Sequence, residues 1–248
     1  MKAEKARGMN VRSRFRSGSA LERAPGATAG AVPTRAPTQT DQAYDQLEEL
    51  IVTLQLPPGG AVTEFKLAER LGIGRTPVRE ALQRLARENL VAALPQRGYL
   101  VSHIDVRMQL RLLETRREVE RLIARSAARR ATPDERRRFD QLADVFRKAS
   151  LDNDATAFIR ADREFNELSL HAARNEFAAG AMQLMHGLSR RFWYMHWRQA
   201  ADMPETAHAH ALLARAIANG DEQASANALD LLIDGILAFT KATVTTAF

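Results

Sequence analysis

The stretch Leu67–Leu85 reads LAERLGIGRTPVREALQRL. Glu64 to Leu71 predicts one helix, Gly72 closes it, and Gly74 gives the chain room to reverse. A second helix is expected from Thr76 to Asn89, with Pro77 in its first turn, where a missing N–H leaves no hydrogen bond unmade. Two helices joined by so short a turn predict a helix-turn-helix. On the second, Val78, Ala81, Leu82 and Leu85 recur at i, i+3, i+4 and i+7 as one apolar stripe, whereas Arg75, Thr76, Arg79 and Gln83 share a different arc. The stripe fastens the helix to its own domain. Two arginines on the other arc are ordinary for a solvated helix face. They are also two guanidiniums one turn apart, each able to fork onto the O6/N7 edge of a guanine, with Gln83 as a further base reader.

The segment after the second helix favours the nucleic-acid reading. Asn89 to Val101, NLVAALPQRGYLV, reads as two short strands, Val91–Leu94 and Tyr99–Val101, joined by a Pro-Gln-Arg-Gly turn. A hairpin directly after such a helix makes a winged helix, and its tip carries Arg97 and Gly98.

The run GRTPVREAL (Gly74–Leu82), with RLARENLV (Arg84–Val91) and RGYLV (Arg97–Val101), resembles the winged-helix domain of the GntR family of bacterial transcription regulators over roughly Asp41 to Ile104. The resemblance implies that Arg75 and Arg79 read bases, that Thr76 contacts a phosphate and that Gly98 is the wing glycine. One position departs from the family pattern: Phe65 follows Glu64 where a basic backbone contact is usual, and Lys66 is the neighbouring candidate for that phosphate.

Composition narrows the alternatives. A chain of 248 residues, 45% of them hydrophobic, can bury one large core or two ordinary ones. The absence of cysteine excludes disulfides and thiolate zinc sites and fits a reducing cytoplasm. Apolar runs fall far short of a membrane span. The net charge of +6 is misleading, because residues 1–40 hold eight basic side chains against two acids and the remainder is neutral. Between Glu64 and Leu100 seven bases face four acids, a modest positive footprint of the kind phosphate binding needs. Neither G-x-S-x-G, H-E-x-x-H, a phosphate-cradling glycine loop nor a cysteine nucleophile is present, so the chain is not read as an enzyme.

Residues 1–39 are rich in Arg, Ala, Gly and Pro and read as a disordered basic arm, or as sequence upstream of a start at Met9. Thr40 is the expected N-cap of a helix from Asp41 to about Leu54, in which Leu47, Leu50, Ile51 and Leu54 form the buried stripe. Residues 40–102 would form the DNA-binding domain and 103–105 a hinge. Residues 106–248 show only helical periods, over about 106–130, 133–150, 154–173, 176–199, 205–219 and 222–244. Their breaks are Ala131-Thr132-Pro133, Asp152-Asn153-Asp154, Asn175, Met203-Pro204 and Asn219-Gly220-Asp221. The fold class is therefore mainly α: a winged helix-turn-helix with a small β-hairpin, then an all-α six-helix antiparallel bundle.

The second half carries its own resemblance. Arg116-x-x-Val119-Glu120 with AARRAT (Ala127–Thr132), Asp162-x-x-Phe165, Asn175 and His210-x5-Ala216-Ile217-x2-Gly220-Asp221 is similar to the effector domain of the FadR branch, FCD type, in its shorter six-helix form. Many members of that branch hold a divalent cation with an Asp and three His, and with it a carboxylate ligand. The matching positions here are Asp162, Asn166, His210 and Leu232. Asn is a weak neutral donor and Leu offers none, so no metal is expected, and none of His171, His186, His196 and His208 stands at the expected spacing. His210 is then either a hydrogen-bonded core histidine or, with Asp162 and Asn166, a direct effector contact. The resemblance makes Arg116 the cation for an anionic effector; an i,i+4 pair with Glu120 is the structural alternative. Phe192, Trp193, Tyr194 and Trp197 would supply core, subunit interface and pocket floor.

The expectation is a homodimeric cytoplasmic repressor that binds a palindromic double-stranded DNA operator and answers to a small carboxylate-bearing effector. Two other readings stay open: a constitutive DNA binder whose sensor has degenerated, and a winged-helix module for protein contacts.

Overall fold

The computed structural model describes residues 36–200 and 203–245 and, within them, all side chains but those of residues 197–200, 244 and 245. The basic arm expected at the start of the chain lies, up to residue 35, outside the described residues, as does the side chain of Trp197.

Helix α1 (Gln39–Val52) is capped by Thr38, not Thr40. Thr38 Oγ1 accepts from the Asp41 N–H and the Asp41 carboxylate accepts from the Thr38 N–H, a capping box that an Asp at the third helical position permits. The helix also ends early: Leu54 has a positive φ of 61° and falls outside the stripe assigned to it, while Leu47 and Ile51 are buried as expected. Strand β1 (Ala61–Val62) precedes α2 (Glu64–Leu71) and α3 (Arg75–Arg87), and β2 (Val91–Leu94) and β3 (Gly98–Val101) form the wing.

The turn between α2 and α3 takes its left-handed residue at Gly72 (φ 64°), while Gly74 is an ordinary extended N-cap. The three strands are antiparallel in the order β1-β3-β2, with Val91 opposite Val101 and Leu94 opposite Gly98. β1 is two residues long, too short to show a period, and no sequence signal marks it. Gly98 sits at φ 96°, and a Cβ there would lie 2.3 Å from the Val62 carbonyl oxygen. Only glycine fits so close to a neighbouring strand. The head closes over Leu47, Leu67, Val78, Leu82, Leu85, Leu90 and Val101, all buried.

Beyond the 102–105 connection come α4 (Val106–Arg130), α5 (Pro133–Asp152), α6 (Ala155–Ala173), α7 (Glu176–Ala200), α8 (Met203–Asn219) and α9 (Glu222–Thr245). The breaks reflect local chemistry. Thr132 and Glu135 form a capping box with Pro133 between them, Asn153 ends α5 in the left-handed region, and Gly220 does so for α8. At Met203-Pro204 a new helix does begin, but α8 starts at Met203 itself, two residues earlier than expected, with the proline in its first turn. α4 packs on α9 and α5 on α8, around Phe139, Leu142, Phe146, Phe165 and Ile233. α7 packs against α4 on one side and α1 of the head on another.

Candidate nucleic-acid interface and effector cavity

Arg75, Thr76, Arg79 and Gln83 all stand exposed along α3, with Lys66 exposed on α2 and Arg97 exposed in the wing turn. They share this position because Val78, Ala81, Leu82 and Leu85 take the opposite face into the core. The arc is not wholly without partners. Arg79 donates from Nε and Nη2 to the Glu64 carboxylate at 2.9–3.0 Å, a contact that strengthens its hold on its proton. Half of the Arg79 side chain (51%) is nevertheless open to solvent. Glu64 engages the Nε/Nη2 edge, and Nη1 makes no hydrogen bond among the described residues. Sequence puts Glu64 at the start of α2 but does not put its carboxylate beside Arg79, a pairing across 15 positions that only the turn brings about. Phe65 is 62% exposed beside this surface.

The head is braced internally by a polar group that the sequence does not reveal. The Tyr44 hydroxyl donates to the buried Glu88 carboxylate at 2.7 Å, and the Arg84 guanidinium lies 3.5 Å above the Tyr44 ring centroid. Burial raises the Glu88 carboxyl above its ordinary value against the opposing pull of Tyr44 and Arg84.

A cavity of about 590 Å³ opens in the helical half and reaches α1 of the head at Tyr44, Glu48 and Val52. The structure brings Arg116, Asp162, Asn166, His210 and Leu232 to its wall, and adds Glu120, His186, Ser189, Phe158 and Trp193. His210 is both a core histidine and a cavity residue. Its Nδ1 lies 2.8 Å from the Thr206 carbonyl oxygen, its Nε2 lies 3.1 Å from Asp162 Oδ1, and three phenylalanines, Phe146, Phe158 and Phe165, surround the ring at 5.1–6.0 Å between centroids. Burial works against the charge of Asp162, but the His210 hydrogen bond and the nearby His186 and Arg116 outweigh it and hold the carboxyl below its ordinary value. His186 goes the other way: burial first, then the Arg116 charge, lower it, so its ring is neutral at pH 7. It stands on α7, away from the spacing that marks the metal ligands of related domains, and nothing in its sequence position signals the cavity.

Arg116 is paired with Glu120, the structural alternative, and also donates from Nη1 to the Ser189 hydroxyl at 2.5 Å. The donor set does not fit a divalent cation. Leu232 is buried and apolar, Asp162 and His210 already face each other, and among the described residues no group of three or more His, Cys, Asp or Glu gathers round one point. Of the remaining histidines, His171 contacts Glu135 and His196 packs on Phe192.

α7 joins this cavity to the head. His186, Ser189, Arg190, Phe192 and Trp193 line the cavity, and Arg190 also pairs with Glu48 and Glu49 of α1 at 3.1–3.3 Å. Arg191, 2% exposed, donates to the Ser102 and His103 carbonyl oxygens at 2.9 and 3.2 Å, and its Nε has no hydrogen-bond partner among the described residues. Burial lowers this guanidinium to about 10.

Residues 39–101 match the gntR family of bacterial regulatory proteins, and residues 111–235, half of the chain, match the FCD domain. Among similar proteins, the Nta operon transcriptional regulator of Aminobacter aminovorans is 28% identical over 154 residues, 60% of this chain and 69% of its own length. The transcriptional repressor RspR of Escherichia coli is 29% identical over 64% of this chain and 71% of its own. A regulator from an unstable DNA locus of Streptomyces ambofaciens is 43% identical over 72 residues, and this chain spans only 30% of it. The structure of E. coli McbR/YncC superposes with a TM-score of 0.69 at 22% identity, covering 84% of this chain and 99% of that one, a likeness of fold. No helix among the described residues is long and apolar enough to cross a membrane. These families and relatives are regulators of transcription and not enzymes. The chain belongs to the GntR family of bacterial regulatory proteins and couples its winged helix-turn-helix to an FCD domain: it is a transcriptional regulator.

Proposed function

We propose that this regulator is a cytoplasmic repressor that binds a palindromic DNA operator as a homodimer and releases it when a small carboxylate-bearing effector enters the helical cavity. The observation that carries the reading is the α3 face: Arg75, Thr76, Arg79 and Gln83 stand together on one exposed arc beside a wing. In this reading Arg75 and Arg79 fork onto guanines, Gln83 reads a further base, and Thr76, Lys66, Arg97 and Gly98 meet the backbone or the minor groove. Two copies related by a twofold axis read two half-sites about one helical turn apart, which makes the operator palindromic.

The division of labour runs along the chain: residues 40–102 bind DNA, 103–105 connect, and 106–248 bind effector and partner subunit. Arg116, Asp162, Asn166 and His210 line the effector site without a metal. α7 supplies the coupling, because one helix both walls the cavity and grips α1 and the connection through Arg190 and Arg191. An effector that prefers one setting of α7 by about 1 kcal/mol or more shifts the pose of the heads and with it operator affinity.

Selection of duplexes from a random library by the full-length protein tests the reading. A palindromic consensus bound by two chains, with affinity that falls steeply as salt rises, is the expected result. Retention of no duplex over background at low salt would leave the winged-helix protein-contact alternative standing. Operator binding that no small carboxylate or sugar acid alters would favour the constitutive regulator.

A further inference from the structure

The chemistry of the cavity narrows the effector further, an inference that rests on the reading of the cavity as the effector site. Besides the Arg190–Glu48–Glu49 group and the exposed Arg160, Arg163 and Glu167, the wall carries three formally charged side chains, Arg116, Glu120 and Asp162, along with His186 and His210. Arg116 is spoken for by Glu120 and Ser189, leaving one edge of its fork without a partner among the described residues. Asp162 meets His210 through Oδ1 and has no second partner among them.

His210 decides the balance. The Thr206 carbonyl oxygen can only accept, so Nδ1 carries a hydrogen, and Nε2 carries a second one only when the ring is protonated. With the ring neutral, Glu120 and Asp162 face Arg116 alone, one excess negative charge, and the whole wall, five carboxylates against four arginines, carries the same excess. With the ring protonated it is balanced. In neither case is there positive charge to spare for a bare carboxylate, whose burial without compensation is expensive. His186 adds none, being neutral through burial and the Arg116 charge.

A ligand of zero net charge that brings its own cation removes the conflict. Phe158 and Trp193, 6.3 Å apart between ring centroids, wall the cavity near the Asp162–His210 pair and suit both an apolar group and an ammonium lying against a ring face. A space of about 590 Å³ is in the range of small-molecule sites. We propose that the effector is a small zwitterion of the α-amino acid type with an apolar side chain, its ammonium on Asp162 and its carboxylate on Arg116 and Ser189.

Calorimetry on the full-length protein tests this with three ligands of one skeleton: L-phenylalanine, 3-phenylpropionate and 2-phenylethylamine, and the same series built on leucine. The amino acid should bind about tenfold or more tightly than either half-molecule in at least one series. Asp162→Asn should remove that advantage and leave the carboxylate-only compound within a few-fold of its wild-type affinity, with a thermal melt to show that the variant is folded. The wild-type comparison stands even if the variant does not fold. Equal or tighter binding of the carboxylate-only compound overturns the proposal, and so does a failure of both amino acids to bind. A parallel thermal-shift screen of sugar acids and simple carboxylates separates the two readings: hits there, with no amino acid bound, sink the zwitterion and keep the effector site.

Discussion

At residue scale, Arg79 gives its Nε and Nη2 edge to Glu64, and its Nη1 is without a partner among the described residues. A carboxylate on one edge of a guanidinium limits the rotamers it samples and presents the other edge for a base. Arg79→Ala should therefore lower affinity for the selected operator by roughly tenfold to a hundredfold while binding to random duplex falls much less. Gel-shift titrations against both duplexes would show it; equal discrimination by the variant and the wild type would remove Arg79 from the reading face. Glu135 is a second case in which one carboxyl answers to several partners. Burial alone would raise it, but the Thr132 N–H, Arg174 and His171 outweigh burial and bring it down to about 2. Its folded value is below its unfolded one, so its contribution is complete above about pH 4.5 and is lost as pH falls from there toward about 2. Glu135→Gln should flatten the decline in melting temperature between pH 5 and about 3, and should lower stability at pH 7 by roughly 3 kcal/mol. Parallel acid melts of the two proteins check both the slope and the sign.

At the scale of the element, α3 shows why one face can be assigned to DNA. Val78, Ala81, Leu82 and Leu85 are all 1% exposed or less, and this commitment to the core leaves the arc of Arg75 and Arg79 no other direction. Leu82→Ala should destabilise the head by about 2–5 kcal/mol, the range for a buried leucine whose cavity does not collapse. Urea unfolding followed by circular dichroism measures it, and a loss well under 1 kcal/mol would mean that the stripe is not what holds α3. The helix is legible in sequence because its period repeats without interruption. The wing is legible as a hairpin, but β1 is not. Two residues carry no period, and their pairing with β3 depends on a glycine at 98 that makes room for the Val62 carbonyl.

For the whole molecule, the telling feature is α7, which both walls the cavity and holds the head. Arg191 is buried with no ion pair among the described residues, an expensive arrangement, and it donates to the carbonyls of the chain that joins the head to the helical half. Arg191→Met keeps the bulk and removes the link. The expected outcome is faster amide exchange over residues 102–105, operator affinity without effector within a few-fold of wild type, and an effector response that collapses. Hydrogen exchange and anisotropy titrations with and without effector measure all three. An undiminished response in a folded variant would place the coupling elsewhere. The folded chain also supplies the reason for each cap and joint that pattern alone misjudges. Thr38 rather than Thr40 caps α1 because Asp41 is within reach of it, and α8 takes in Met203 and Pro204 because a proline fits its first turn.

Sequence alone determined the architecture: a helix-turn-helix with a hairpin, then six helices, with the arginines of α3 outside the core. It could do so because those features rest on periods of three to four residues and on caps and turns, interactions between neighbours along the chain. Tertiary structure alone decided the rest. Glu64 meets Arg79 across 15 positions, His210 meets Asp162 across 48, and Arg116 meets Ser189 across 73. Such pairs are set by how helices pack, and the charge balance of a cavity is a sum over side chains that have no order in sequence.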